Sequence, residues 1–231
     1  MSSLYLVATP IGNLQDISSR AIQILQHVTC ILAEDTRVSR KLMDQYDIRT
    51  PLRAYHDFNK EKVTPGLIEL LKDGSDMALI TDAGSPAIAD PGFYITREAI
   101  NNNIPVVPVP GPSALIAAIS ASGLPCDRFT FENFLPPKSG KRKTVLSRYL
   151  DDKRTVIFFE TPHRIVKVLS EIKEVLGEVA VVIARELTKM HEEFLRGTPS
   201  ELLAHFEQKK PRGEMVVLFN STYQFKKATP H

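Results

Sequence analysis

The stretch Leu79-Ile80-Thr81-Asp82-Ala83-Gly84-Ser85-Pro86-Ala87-Ile88-Ala89-Asp90-Pro91-Gly92 decides the reading of this chain. The apolar run Met77 to Thr81 is short and uninterrupted, as in a strand buried on both faces, and it leads straight into a loop of Gly, Pro and small residues. A second such unit follows, Val106-Val107-Pro108-Val109-Pro110-Gly111-Pro112-Ser113-Ala114. In a sheet of parallel strands, the loops at the carboxyl ends form the ligand crevice. Two such loops, leaving adjacent strands at one edge and stripped of bulky side chains, read as a mould for a small molecule that reaches the main chain. Turn-setting alone accounts for Gly84 and Pro86, but not for the loop's length or for its repetition at 110–114.

Outward from this stretch the first half alternates strand and helix. Leu4 to Ala8 reads as a strand. Asp16 is placed to cap a helix whose apolar face is Ile17, Ala21, Ile24, Leu25 and Val28. Thr29 to Ala33 follows as strand, Thr36 to Tyr46 as helix and Leu52 to Tyr55 as a weaker strand. A helix over 61–73 is stopped by Gly74. Helices at about 92–103 and from Ser113 to Ser122 flank the strand at 105–109. This alternation predicts a parallel sheet covered on both faces. Gly123-Leu124-Pro125 reads as a hinge, dividing the chain into lobes 1–122 and 123–231. Beyond it come strands at 128–132, 155–159, 179–184, 190–197 and 214–219. The helices between them end near Leu150 and run over 162–176 and 200–206. The polar tail after Asn220 is expected to fray.

Composition sets bounds. The chain has 231 residues, 43% hydrophobic and 24% charged, as in an ordinary globular protein. No run approaches the length of a membrane span, and the start shows no basic leader, so the expected place is the cytoplasm with no membrane partner. Cys30 and Cys126 are too few for a disulfide framework, and the six histidines lack metal-ligand spacing. No metal is expected. Dinucleotide, P-loop and nucleophile-elbow motifs are all missing. A net charge of +2 does not demand nucleic acid as partner; any such contact needs a local patch.

Charges gather at the ends of strands. Glu34-Asp35-Thr36-Arg37 exceeds what a helix cap at Asp35 or Thr36 requires. Asp82 offers a carboxylate to a ribose hydroxyl or a positive group. Thr161 and Pro162 form a helix start, which leaves Glu160 and His163 unexplained; Arg185 and Glu186 end the next strand. Two basic runs, Lys138 to Lys143 and Lys209 to Arg212, are either solvated faces or grips for phosphates.

These blocks carry a resemblance. Thr9-Pro10-Ile11-Gly12-Asn13-Leu14, Glu34 to Arg37, Asp82 to Pro86, Asp90-Pro91-Gly92, Pro110 to Ala114, Phe134-Leu135-Pro136, His163-Arg164 and Ala184-Arg185-Glu186-Leu187-Thr188-Lys189 occur in order over about residues 4–219. They resemble the tetrapyrrole methylase superfamily, the class III methyltransferase fold, and within it the branch that methylates cytidine 2′-oxygens of 16S ribosomal RNA. The resemblance implies an α/β protein of two αβα lobes, the first sheet mostly parallel and the second mixed, with a cofactor cleft between them. It implies S-adenosyl-L-methionine as cofactor, 16S rRNA or the small ribosomal subunit as partner, and a homodimer. Carried over by motif, Pro10 lies near the methionine end, while Asp82, Gly84, Ser85, Ile88 and Ala89 line the nucleoside loop. Ser113 and Ala114 line the facing one, and Glu160 closes the site. Members of this branch usually continue past the final strand into a small C-terminal domain, whereas this chain stops at His231.

A ribose hydroxyl needs a base and an aligned donor. Glu34, Asp35 and Glu186 are candidates for the base, with Arg37 and Arg185 orienting phosphate or substrate. Other readings are a methylase of a tetrapyrrole or other small molecule, a non-catalytic cofactor-sensing or ribosome-docking module, and a metal phosphohydrolase built on Glu34, Asp35, Asp82 and Asp90.

Overall fold

A computed structural model describes residues 2–226, arranged as two compact units, Met1–Ser113 and Ala114–His231. The first contains β1 (Leu4–Val7), α1 (Ser19–His27), β2 (Cys30–Ala33), α2 (Thr36–Gln45), β3 (Leu52–Ala54), α3 (Lys60–Lys72), β4 (Met77–Leu79), α4 (Phe93–Asn101) and β5 (Val106–Val109). Its strands lie in the order β3-β2-β4-β1-β5, and every pairing is parallel. Period two decides which core each strand residue joins. From β2, Ile31 and Ala33 pack with Ala21 and Leu25 of α1 and with Leu42 and Met43 of α2. Cys30 and Leu32 point the other way, to Leu67 and Leu71 of α3 and Ile95 and Ala99 of α4. Both faces are thus covered, which is why β2 and β4 are buried throughout.

The second unit holds α5 (Ala114–Ser122), β6 (Phe129–Phe134), α6 (Ser139–Ser147), β7 (Thr155–Glu160), α7 (Ile165–Leu176), β8 (Ala180–Arg185), β9 (Glu193–Gly197), α8 (Pro199–Gln208) and β10 (Met215–Asn220). Its sheet is mixed, in the order β6-β7-β10-β8-β9: β6 and β7 are parallel, and the other pairs antiparallel. Val156, Phe158, Val181, Ile183, Val217 and Phe219 face Leu146 of α6, Ile165 and Leu169 of α7 and Leu202 of α8. Helix α5 packs on β8 and β10.

Four expectations need correction. The division falls at Ser113 rather than at Gly123, because α5 buries Ala118 and Ile119 in the second unit and its last carbonyls are tied there. Arg196 of β9 donates to the Ala121 and Ser122 carbonyl oxygens at 2.6 and 2.9 Å. Asp16 belongs to a single 3-10 turn, Leu14–Asp16, and Ser18 caps α1 by accepting from Ala21 N–H at 3.1 Å. Thr161 does not cap α7: Pro162 and His163 lie in a turn closed on the Thr161 carbonyl oxygen, and the helix begins at Ile165. The tail expected to fray is tied back as far as Ser221, whose hydroxyl donates to the Asp152 carbonyl oxygen at 2.8 Å. Residues 227–231 lie outside the described residues.

Candidate active site

Five parallel strands deliver five segments to one edge of the first sheet. Strand β1 stands between β4 and β5, so the two small-residue loops do not leave adjacent strands. The segment after β1 knits to both instead. Thr9 and Gly84 exchange backbone hydrogen bonds of 2.8 and 3.0 Å, and the Thr9 hydroxyl donates to the Thr81 carbonyl oxygen at 3.0 Å. On the other side Ala8 N–H donates to the Val109 carbonyl oxygen at 3.3 Å. A Cβ placed on Gly111 would lie 3.1 Å from the Ala8 Cβ, so only glycine leaves that approach unforced. In the long loop Gly84 has φ 84°, and Ala87 and Ala89 are held at φ 69° and 68°. A non-glycine residue in that region costs about 1–3 kcal/mol and persists where the surroundings over-determine it, typically at ligand-binding loops.

The same edge carries acids. Glu34 follows β2, and the Thr81 hydroxyl donates to its Oε2 at 3.3 Å. Partial burial, then the charges of Asp90 and Asp82, raise the Glu34 carboxyl above its ordinary range. Burial also raises Asp90 and Asp82; Asp82 accepts from Asp35 N–H at 3.1 Å. Among the described residues no ion pair reaches Glu34, Asp82 or Asp90. Asp35 differs. It caps α2 by accepting from Arg37 N–H at 2.8 Å and pairs with the Arg37 guanidinium at 2.6 Å, which holds its carboxyl at about 2.

Pro10, Asp82, Gly84, Ser85, Ile88, Ala89 and Ser113, with Glu34, Asp35 and Arg37, therefore belong to the carboxyl edge of the first sheet. Ala114, Glu160, Arg185 and Glu186 belong to the second unit. There Met215, the first residue of β10, is in register with both Glu160 and Arg185, so the ends of β7 and β8 flank one point. Glu160 is buried; its Oε1 accepts from Thr161 N–H at 2.8 Å and lies 3.2 Å from Arg164 Nε, while Oε2 has no partner. Burial raises its carboxyl. Arg185 donates to Glu193 at 2.7 Å. Glu186 accepts from Glu214 N–H at 2.9 Å and from Lys189 at 3.1 Å, contacts that lower its carboxyl.

Two of the four cations in the basic run at 138–143 are spoken for. Arg142 is buried and forks onto Glu171 at 2.5 and 2.7 Å, with its remaining donors on the Pro136 and Pro137 carbonyl oxygens, and Lys143 pairs with Glu174. Sequence reasoning missed Thr81 as the partner of Glu34, although a hydroxyl one residue before a strand-end Asp was a signal. It also missed Gly213, where a Cβ would meet Glu186 Cγ at 2.4 Å. Among the described residues no group of three or more His, Cys, Asp or Glu is placed to hold a metal ion.

A methyl-donating sulfonium with a nucleoside attached fits this edge. Small residues and glycines expose the main chain, and carboxylates without cationic partners face it. The family model described as Tetrapyrrole (Corrin/Porphyrin) Methylases matches residues 3–203, and the chain belongs to that family. It is a methyltransferase that uses S-adenosylmethionine. Among relatives, the Ribosomal RNA small subunit methyltransferase I of Thermotoga maritima is 44% identical over 220 residues, 95% of this chain and 99% of that protein. The protein of the same name from Mesorhizobium japonicum is 49% identical over 217 residues, 93% of this chain and 74% of its own. Among solved structures, a diphthine synthase covers 97% of this chain and 92% of its own at TM-score 0.73 and 16% identity, a likeness of fold.

Proposed function

We propose that this chain transfers a methyl group to a cytidine ribose 2′-hydroxyl of 16S rRNA in the small ribosomal subunit. The observation that carries the reading is the high identity to small-subunit rRNA methyltransferases over nearly the whole chain. The Thermotoga relative bears the name of such an enzyme and is matched over 99% of its length, which supports the reading.

When bound, S-adenosylmethionine would supply an electrophilic methyl group on a sulfonium whose leaving group is a neutral thioether. Asp82 and the main chain of Gly84, Ser85, Ile88 and Ala89 would hold the nucleoside, with Pro10 and Ser113 on the same edge of the first unit. Glu34 takes the hydroxyl proton. Its raised carboxyl is better matched to that task than Asp35, committed to Arg37, or Glu186, committed to Glu214 and Lys189. The chain works as a homodimer, and exposed Phe58, Phe93 and Ile100 of the first unit supply apolar surface for it. No helix among the described residues is long and apolar enough to cross a membrane.

The test is transfer of tritiated methyl to small subunits lacking the modification, beside free RNA and a tetrapyrrole. Label confined to a cytidine 2′-oxygen is the expected result. Label on the tetrapyrrole alone overturns it.

A further inference from the structure

The second unit carries a cavity of about 740 Å³ that the reaction above does not use. Its walls come from the end of β8, the loop after it, β9, the end of α8 and the loop 209–213. Four permanent cations line it, Arg185, Lys209, Lys210 and Arg212, with two histidines, His191 and His205, against two carboxylates, Glu186 and Glu193. Both carboxylates are already engaged. Glu193 takes Arg185 at 2.7 Å and Lys209 at 3.4 Å; Glu186 takes Lys189 and the Glu214 N–H. Among the described residues neither Lys210 nor Arg212 has an ion-pair partner.

The loop bearing these two cations is fixed in place. Glu186 N–H donates to the Glu214 carbonyl oxygen at 3.0 Å while its carboxylate accepts from Glu214 N–H, and Lys189 bridges Glu186 and Glu214 at 3.1 and 2.7 Å. Gly213, at φ 80°, is the residue that lets Glu186 lie against the loop. Pro211 stiffens the segment between Lys210 and Arg212. Ordinary solvated lysines need no such clamp. A loop whose backbone is already tied at Glu214 loses less freedom when its cations meet an anion.

The geometry points to this cavity as a phosphate grip for single-stranded RNA, with Lys210 and Arg212 contacting backbone phosphates and Glu186 acting as the positioning residue that holds their loop. The inference rests on the rRNA reading above and names where that substrate is held. It also moves the grip away from 138–143, where Arg142 is internal. The occupant is RNA rather than an acidic protein segment because the groove is long in cations and its apolar residues are Pro211 and buried Phe206, with no open apolar pocket for a side-chain anchor.

The experiment measures binding of a short fluorescent single-stranded RNA to the full chain across a salt series, for wild type, Lys210→Ala/Arg212→Ala and Lys138→Ala/Lys141→Ala. Calorimetry with S-adenosylmethionine runs in parallel. In the 210/212 variant, affinity should fall about tenfold and the log–log salt slope should flatten by about 0.7 per lost phosphate contact, with cofactor binding intact. The 138/141 variant should keep the wild-type slope, and Lys210→Arg/Arg212→Lys should retain binding. Inorganic phosphate at equal phosphate concentration should compete weakly. An unchanged slope in the 210/212 variant overturns the inference, as does displacement of the RNA by an acidic peptide at lower concentration than by unlabelled RNA. Wild type that binds RNA through these residues yet fails to methylate small subunits would leave the grip standing and remove only the rRNA reaction.

Discussion

The carboxyl edge of the first sheet and the edge of the second sheet around Met215 both gather charged residues, yet they treat them in opposite ways. At the first, Glu34, Asp82 and Asp90 have no cationic partner, are partly desolvated and hold their protons more tightly than usual. At the second, Glu186 and Glu193 are engaged by arginine, lysine and backbone N–H groups and hold theirs less tightly, while buried Glu160 beside Met215 is the exception, raised by burial with one oxygen unpartnered. An acid kept without a partner costs stability, so a fold keeps it where a ligand will supply the missing charge. An acid fully engaged does structural work. Sequence position alone, at the end of a strand, does not separate the two.

The sharpest way to break this contrast lies in the most saturated pair of the second unit. Arg142→Ala leaves Glu171 buried and uncompensated, so unfolding free energy should fall by about 3–5 kcal/mol. Urea titration checks this. Arg142→Met with Glu171→Leu should recover most of the loss, because the isolated charge is gone. A midpoint unmoved by Arg142→Ala would place the pair among exposed ion pairs, which contribute little. The next effect falls in the first unit and on rate rather than stability. Glu34→Gln should lower single-turnover methyl transfer about a hundredfold, with cofactor affinity nearly kept. Glu186→Gln should act through RNA affinity instead. Equal losses of turnover in both would erase the distinction between the two edges.

Much of this was legible from residue patterns, for identifiable reasons. The uninterrupted apolar runs at 30–33 and 77–79 announced strands covered on both faces, and Asp35 is the helix cap that its position suggested. The small-residue loops stood out because only a required close approach explains so few bulky side chains. Strand order was not legible: nothing local says that β1 enters between β4 and β5, since that is settled by which hydrophobic faces meet. Arg142 was read with its basic neighbours because a run of charges carries no sign of which member turns inward. Its partner Glu171 lies on another helix, far off in sequence. Nothing in the sequence singles out Gly213, and only the Glu186 side chain lying against it shows why no Cβ fits.

Two smaller effects sharpen the comparison. Gly84→Ala meets only Ile11 at ordinary contact distance, so its cost is the backbone at φ 84°, about 1 kcal/mol. Because Gly84 is bridged to Thr9, part of that cost should appear as about fivefold weaker S-adenosylmethionine binding. Ala substitution at Gly177, also at positive φ but in the second unit, should leave cofactor affinity alone.

The smallest effect is the pH dependence of that affinity, and its sign follows from the raised carboxyls. The folded chain binds protons at Glu34, Asp82 and Asp90 more tightly than the unfolded chain does. These groups therefore cost stability at neutral pH, and the cost disappears as pH falls through their raised folded values toward their unfolded ones. Glu171, Glu186 and Glu193 run the other way: they stabilise above their unfolded values, and that contribution is lost as pH falls through their lowered ones. A sulfonium beside the first set gains only while the carboxylates are ionised, whereas the neutral thioether product is indifferent to them. Lowering pH through the raised range should therefore weaken S-adenosylmethionine binding by about 0.5–1 kcal/mol relative to S-adenosylhomocysteine, the scale of a partly exposed ion pair. Calorimetric titration of both ligands at each pH reads the difference directly. If the two affinities fall in parallel, the acids at this edge recognise the nucleoside that both ligands share rather than the charge on sulfur.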